Sequence, residues 1–180
     1  MVEKNKRKIK RILALIISGV FVVIILPIIG VYISLFLDST FKFPQIVIFP
    51  INLIIAIIVM IIAFIWAIWS NFELYHSGKG SPVPLKGTQT MTIVSKGPYR
   101  YSRNPMVFGY ILLWIGLGFL FNSIFLLIGF SLIITILLIL IVKLWEEKDL
   151  DSRFGNSYLE YKKKVSFLIP LPPKKKKKRA

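Results

Sequence analysis

The sequence predicts an all-α integral membrane protein with about four transmembrane helices, and three observations agree on this fold class. Hydrophobic residues make up 56% of the chain, and the mean hydropathy is +0.72. The apolar residues form long uninterrupted runs rather than the periodic stripes of a soluble domain. The 24 Lys and Arg outnumber the 8 Asp and Glu, and most of this excess lies in the two termini and one central loop, which is typical of membrane topology.

Two apolar runs in the first part of the chain can each cross a bilayer. Residues 12–37 are longer than the roughly 20 residues that cross the hydrocarbon core. Pro27 lies inside this run and removes one backbone hydrogen bond, so we expect a bend there. Residues 46–69 form the second predicted span. Asn52 is its one strongly polar residue, and we expect Asn52 to make a hydrogen bond to another helix.

A tight helical hairpin is predicted after the central loop. Its arms are residues 106–121 and 124–142, and the short turn between them contains Asn122. Asn104 suits the N-cap of the first arm, and Pro105 suits its first helical position, where no amide donor is missed. Three glycines of the first arm either let a neighbouring helix approach or reflect the high glycine content of membrane helices. They are Gly109, Gly116 and Gly118.

A polar connection and a C-terminal amphipathic helix complete the predicted architecture. Residues 70–105 are punctuated by glycine and proline, and a connection of this length usually has a function. In residues 143–164, Trp145, Leu150, Phe154, Tyr158 and Tyr161 recur at helical spacing. They predict a helix with one apolar side, which is broken at Gly155 and lies on the cytosolic membrane surface.

Charge distribution predicts the topology and the division of the chain. Four crossings place the basic lead, the central loop and the basic tail on one side, so both termini of this multi-pass cell-membrane protein are expected in the cytoplasm. Residues 1–69 would form an N-terminal region of two spans, residues 70–170 a catalytic region and residues 171–180 a basic tail. The basic termini are expected to bind anionic headgroups rather than nucleic acid, because no folded recognition module accompanies them.

Two polar stretches are the candidate sites. Residues 96–106, KGPYRYSRNPM, place Arg100 and Arg103 at the expected start of a helix, where the helix dipole favours an anion. The alternative is an ordinary cytosolic helix end, which carries arginines without further function. Glu146 and Glu147 lie at the end of the fourth span, where the dipole favours cations, so a neighbouring basic side chain or a cationic ligand should neutralise them.

These stretches, with a third one, resemble a known family. The segments GKGSPVP at residues 78–84, KGPYRYSRNPM at residues 96–106 and EEKDLDSRFGNSYLEY at residues 146–161 are similar to the isoprenylcysteine carboxyl methyltransferase and phospholipid methyltransferase family. The resemblance covers roughly residues 69–170. It implies an integral membrane methyltransferase that depends on S-adenosylmethionine and modifies a lipophilic acceptor, either an isoprenylcysteine-like carboxylate or a lipid amine.

The resemblance also implies site residues. Arg103 and Glu147 match positions to which it gives catalytic roles. Asn104 stands where prenylcysteine enzymes have histidine, which leaves the acceptor open. Cys and His are too few for most zinc or iron sites, so no metal is expected. The cofactor-binding residues implied are Tyr99, Arg103, Asn104, Pro105, Glu146 and Glu147.

Two other functions are compatible with the sequence. An NADPH-dependent membrane lipid or sterol-type reductase is suggested by analogy of architecture. A non-enzymatic scaffold that binds anionic lipids through its basic ends would need no cofactor. The identity of the acceptor, the choice between carboxyl and amine methylation, and the oligomeric state stay open.

Overall fold

The computed structural model describes residues 19–78 and 90–173, and this part of the chain folds into helices. The basic lead, part of the central loop and the lysine-rich tail lie outside the described residues, so the predictions for them remain predictions. A 3₁₀ turn at Gly97–Arg100 precedes the helical hairpin. The helices are α1 (Phe21–Phe41), α2 (Ile51–Gly78), α3 (Pro105–Leu120), α4 (Phe125–Phe154) and α5 (Asn156–Lys164).

Three of these helices, α1, α2 and α4, are long and apolar enough to cross a membrane. The shorter α3 has 16 residues and is also apolar. At 1.5 Å per residue it spans about 24 Å, less than the roughly 30 Å hydrocarbon core. The all-α class and the hairpin are therefore confirmed, with three helices long enough to span and one shorter arm in the described part of the chain.

Helix α1 departs from regular hydrogen bonding near its predicted bend. A π turn occupies Phe21–Ile25, and Pro27 follows it as a buried residue in the first turn of the regular helix. Proline cannot donate a backbone hydrogen bond, and a π turn changes the usual bonding interval, so the irregularity falls beside the predicted position. The helix ends at Phe41, and Lys42 takes a left-handed conformation with φ +54°.

Helix α2 corrects the predicted bounds of the second span and of the polar connection. The apolar run 46–69 predicted the span, but the helix begins at Ile51 and continues to Gly78. Backbone hydrogen bonds do not need apolar side chains, and the residues before Gly78 include no proline or glycine that would stop the helix. The last two turns of α2 therefore occupy a stretch that the sequence pattern assigned to a loop.

Small residues let α2 and α3 pack closely. A Cβ added at Gly109 would lie 3.0 Å from the carbonyl oxygen of Ala63, and one added at Gly116 would lie 2.5 Å from Met60 Cγ. Ala63 itself is buried. Asn52 joins the same two helices, because its Nδ2 donates to the carbonyl of Phe119 at 3.4 Å, as predicted. These two glycines of α3 thus allow α2 to approach closely, and they do not merely reflect the high glycine content of membrane helices.

The hairpin turn fixes one end of the bundle. Asn122, at φ +52°, accepts hydrogen bonds at Oδ1 from the amides of Ile46 and Val47, at 2.9 and 3.2 Å. A Cβ at Gly118 would come within 2.6 Å of Leu127 Cα, so α3 and α4 touch just after the turn. The turn lies beside the connection between α1 and α2. The start of α3 and the end of α4 therefore meet at the opposite end of the bundle.

Gly155 separates α4 from α5, as predicted. Its backbone angles of φ +49° and ψ −126° belong to a region that glycine alone adopts readily. A π turn at Val142–Glu146 adds a second irregularity just before the break. Trp145 is 70% exposed while Tyr158 is buried, so the aromatic residues of this region divide between two sides instead of sharing one packed side.

Candidate active site

Residues 96–104, called here the block before α3, pack against the last turns of α2. Gly97 has φ +53°, and a Cβ there would lie 2.9 Å from Glu73 Oε2 and 3.1 Å from Trp69 Nε1. Only glycine allows both this conformation and this approach. The 3₁₀ turn then buries Pro98 and Tyr99. The part of α2 that the sequence pattern assigned to a loop therefore forms the support of the candidate site.

Arg103 and Glu147 form an ion pair between this block and α4. Arg103 Nη1 donates to Glu147 Oε1, and the two side chains are only 13% and 17% exposed. Tyr158 of α5 lies beside the same carboxylate, with its hydroxyl 3.4 Å from Oε1. One alternative for the paired glutamates was neutralisation by a neighbouring basic side chain, and for Glu147 that side chain is Arg103.

Asn104 precedes α3 but does not cap it with its side chain, which corrects the prediction. The Asn104 carbonyl accepts from the amide of Phe108 at 3.0 Å, whereas its Nδ2 donates to the carbonyl of Phe167 at 2.8 Å. The side chain turns to a distant segment, where the Phe167 carbonyl satisfies its buried amide donor. Pro105 does occupy the first helical position, as predicted. The first turn of α3 therefore receives no side-chain cap from Asn104.

A cavity of about 200 Å³ opens where the block, α4 and α5 meet. The predicted residues Tyr99, Arg103, Asn104, Pro105 and Glu146 line it, while Glu147 stands behind Arg103 as its ion-pair partner. The structure thus brings all six predicted cofactor-binding residues to one place. The other lining residues are Leu74, Thr90, Thr92, Ile93, Val94, Met106, Val107, Asp149, Leu150, Arg153, Tyr158 and Tyr161.

Three tyrosine hydroxyls of the cavity stay protonated at neutral pH. Burial raises the pKa of Tyr99, and the carboxylates of Glu146 and Glu73 raise it further. Burial is also the main cause of the raised pKa of Tyr158 and of Tyr161. The Tyr161 hydroxyl donates to the carbonyl of Tyr99 at 2.6 Å, so a neutral hydroxyl ties α5 to the 3₁₀ turn.

Sequence patterns missed one polar cluster in the cavity wall. Arg153 Nη1 donates to the carbonyl of Thr90 at 2.7 Å, and Arg153 Nη2 pairs with Asp149 Oδ2 at 2.8 Å. Asp149 and Arg153 are four residues apart on α4, a spacing that is visible in the sequence and typical of a helical ion pair. The contact with Thr90 had no sequence signal, because it joins segments that are far apart along the chain.

Comparison with known proteins decides the family. A family model described as phospholipid methyltransferase matches residues 51–157, which is more than half of the chain. The chain belongs to the phospholipid methyltransferase family. The resemblance of the sequence blocks is thereby confirmed, and this member is an integral membrane methyltransferase. No curated protein matches the chain.

The matched range of this phospholipid methyltransferase family member can be placed on its fold. It begins at the first residue of α2 and ends near the start of α5, so it contains the block before α3 and the paired glutamates. Helix α1 and the segment after α5 lie outside it. The Arg103–Glu147 pair is thus inside the family-matched region, whereas the partner of Asn104, Phe167, is outside it.

Proposed function

We propose that this membrane methyltransferase uses S-adenosylmethionine and methylates a lipophilic acceptor, either an isoprenylcysteine-like carboxylate or a lipid amine. One observation carries the proposal: the Glu146 carboxylate and the Arg103 guanidinium line the same cavity, at the ends of apolar helices. The cofactor would supply a methyl group on a positively charged sulfur. The protein then has to bind the cofactor and the acceptor, orient them and exclude water, which needs few acid or base groups.

The groups of the cavity fit an amino-acid cofactor of this kind. Glu146 offers a carboxylate for an ammonium group, and Arg103 offers a cation for a carboxylate group. Arg103 Nε is buried and has no hydrogen-bond partner among the described residues, so this donor is free for an anionic group. The first turn of α3, which contributes Met106 and Val107 to the wall, adds the positive end of a helix dipole.

In this proposal Glu147 positions Arg103. Its carboxylate pairs with Arg103, so it holds the guanidinium beside the cavity instead of binding the cofactor itself. The neutral tyrosine rings of the wall can face a sulfonium, because a ring face attracts a cation. The cavity volume of about 200 Å³ is below the roughly 300–1,000 Å³ of sites that enclose a drug-sized ligand, so a nucleoside-containing ligand would extend past the described walls.

Apolar surroundings support a lipophilic acceptor. Leu74, Val107 and Leu150 line the cavity beside its charged groups, and they belong to apolar helices. The outward surface of α2 carries isoleucines such as Ile57 and Ile61 that are more than half exposed. An acyl or prenyl chain could therefore lie along these helices while its polar end reaches the cavity. The cavity would then face the cytoplasm, where the basic termini are proposed to bind anionic headgroups.

Calorimetric titration of the purified full-length protein in detergent micelles tests the cofactor. We expect S-adenosylmethionine to bind with a dissociation constant on the order of micromolar, and Glu146→Gln or Arg103→Lys to weaken binding by at least about tenfold. Glu160→Gln is the matched control, because Glu160 makes an exposed ion pair with Lys163. Wild-type affinity in both cavity variants would disprove the site assignment.

Parallel titrations separate the other functions. NADPH binding without S-adenosylmethionine binding would favour the reductase. Binding of neither cofactor, together with salt-sensitive binding to anionic vesicles, would favour the scaffold. The acceptor is identified by incubating membranes with methyl-labelled cofactor and finding the labelled lipid by mass spectrometry. A labelled carboxyl ester and a labelled amine distinguish the two acceptor classes.

A further inference from the structure

The segment after α5, residues 165–171, runs along the block that precedes α3. The amide of Arg103 donates to the carbonyl of Ser166 at 2.8 Å, and the amide of Leu171 donates to the carbonyl of Tyr101 at 3.0 Å. Ser102 Oγ donates to the carbonyl of Leu168 at 2.8 Å. The side-chain Nδ2 of Asn104 donates to the carbonyl of Phe167. Four consecutive residues of the block, 101–104, are therefore bonded to this segment.

Phe167 also contacts the charged groups of the site through its ring. The Arg103 Cζ atom lies 5.4 Å from the centroid of the ring, and Lys143 Nζ lies 5.3 Å from it. A cation within about 6 Å of a ring face is attracted by the ring quadrupole. Lys143 is four residues before Glu147 on α4, so one ring connects the arginine and the helix that carries its carboxylate partner.

We propose that Phe167 is a positioning residue: its ring holds the Arg103 guanidinium in the orientation that pairs with Glu147 and keeps Nε available to an anionic ligand group. Glu147 is the charged partner of the guanidinium and bonds it at Nη1, which leaves the group able to tilt about that bond. The Phe167 ring, whose centroid lies 5.4 Å from Arg103 Cζ, restricts this tilt. Phe167 lies outside the family-matched range, and its role as a binding determinant rests on the proposed function.

A measurement without cofactor tests the positioning itself. In full-length protein in detergent micelles, nitrogen NMR follows hydrogen exchange at Arg103 Nε, with the signal assigned by its loss in Arg103→Lys. We expect Phe167→Leu to speed this exchange at least about fivefold and Phe167→Tyr to stay within about twofold of the wild type, because only the ring contact differs. Phe43→Leu, at the opposite end of the bundle, is the control and should leave the exchange unchanged.

Equal exchange in the wild type and Phe167→Leu would overturn the proposal, as would fast exchange in Phe167→Tyr. Thermal unfolding checks that each variant is folded, and Phe167→Met provides a second ring-free variant. With S-adenosylmethionine, Phe167→Leu should weaken binding roughly threefold to tenfold and should add no further loss in an Arg103→Lys background. If the wild type binds no S-adenosylmethionine, the proposed function fails, while the exchange rates still decide the role of Phe167.

Discussion

Arg103 and Glu147 form an ion pair that joins the residue two positions before α3 to the last part of α4. Both side chains are largely buried, and the pair brings the two ends of the hairpin together at the candidate active site. A largely buried pair is sensitive to the loss of one partner, because the remaining charge then lacks both water and a counter-charge. This pair therefore joins the two ends of the hairpin, and its Arg103 member also lines the cavity.

Removing one charge of this pair should destabilise the protein. We expect Glu147→Gln to lower the free energy of unfolding by about 2 to 4 kcal/mol, because it leaves the Arg103 guanidinium without its counter-charge. The double variant Arg103→Leu with Glu147→Leu should recover most of that stability but should not bind the cofactor. Thermal unfolding in detergent and calorimetric titration measure the two effects. A Glu147→Gln loss no larger than that of the exposed control Glu160→Gln would contradict this account.

Sequence patterns predicted much of the fold, because the bilayer imposes simple rules on it. Long apolar runs predicted the all-α class, and Pro105 predicted the start of α3. The extension of α2 to Gly78 was missed, since the apolar run ends at the membrane edge while the helix does not. The two candidate stretches meet because the hairpin is short, and this consequence of the topology could be predicted before any contact was known.

The unpredicted parts of the site depend on contacts between distant segments. Asn104 was expected to cap α3 because its type and position are typical of a cap, but a tertiary hydrogen bond to Phe167 replaced that local role. The contact of Arg153 with Thr90 and the ring of Phe167 beneath Arg103 likewise join residues about 63 positions apart. No local pattern encodes such partners, because register between segments is set by packing.

Close packing in the hairpin should make Gly118 intolerant of any side chain. An added Cβ would lie 2.6 Å from Leu127 Cα and 2.8 Å from Leu127 N, so the backbone of α4 would have to move. We expect Gly118→Ala to lower the free energy of unfolding by about 1 to 3 kcal/mol. Gly19→Ala is the matched control, because nothing lies within 4 Å of its added Cβ. Equal unfolding temperatures for the two variants would exclude this helix contact.

The amide of Asn104 should be needed to hold the segment after α5. Asn104→Asp keeps the size of the side chain but removes the donor to the Phe167 carbonyl, and it brings a carboxylate toward that oxygen. We expect a loss of about 2 kcal/mol or more, compared with about 1 to 3 kcal/mol for Asn104→Ala, which only leaves the carbonyl unpaired. Hydrogen exchange of residues 165–171 should increase in both variants. Exchange there at the wild-type rate would show that the other contacts are sufficient.

Alkaline pH should unfold the protein through its buried tyrosines. Burial raises the pKa of Tyr99, Tyr158 and Tyr161 above the ordinary value of about 10. Well below pH 10 these tyrosines are protonated in both the folded and the unfolded chain, and the stability linked to them is fully present. As pH rises toward the folded-state pKa, the unfolded chain releases protons first, so the free energy of unfolding falls by up to about 1.4 kcal/mol per pH unit for each tyrosine.

Thermal unfolding between pH 9 and pH 11 measures this slope. Tyr99→Phe removes one of the three groups and should make the decline with pH shallower, whatever its effect on stability at neutral pH. Absorbance at 295 nm, which reports tyrosinate, should lag behind that of the unfolded chain over the same range. An unchanged slope in Tyr99→Phe would exclude this hydroxyl as a source of the alkaline sensitivity.

The break at Gly155 should be required to form the cavity. Its φ of +49° with ψ of −126° strains any other residue, while an added Cβ would contact nothing within 4 Å. Gly155→Ala should therefore cost about 1 to 3 kcal/mol from the backbone alone, or α4 should continue straight and carry Tyr158 and Tyr161 off the cavity wall. If the break is lost, cofactor binding should weaken more than in Ser157→Ala, an exposed control two residues away. Calorimetric titration and thermal unfolding of the two variants measure this, and equal affinities would mean that the wall forms without the break.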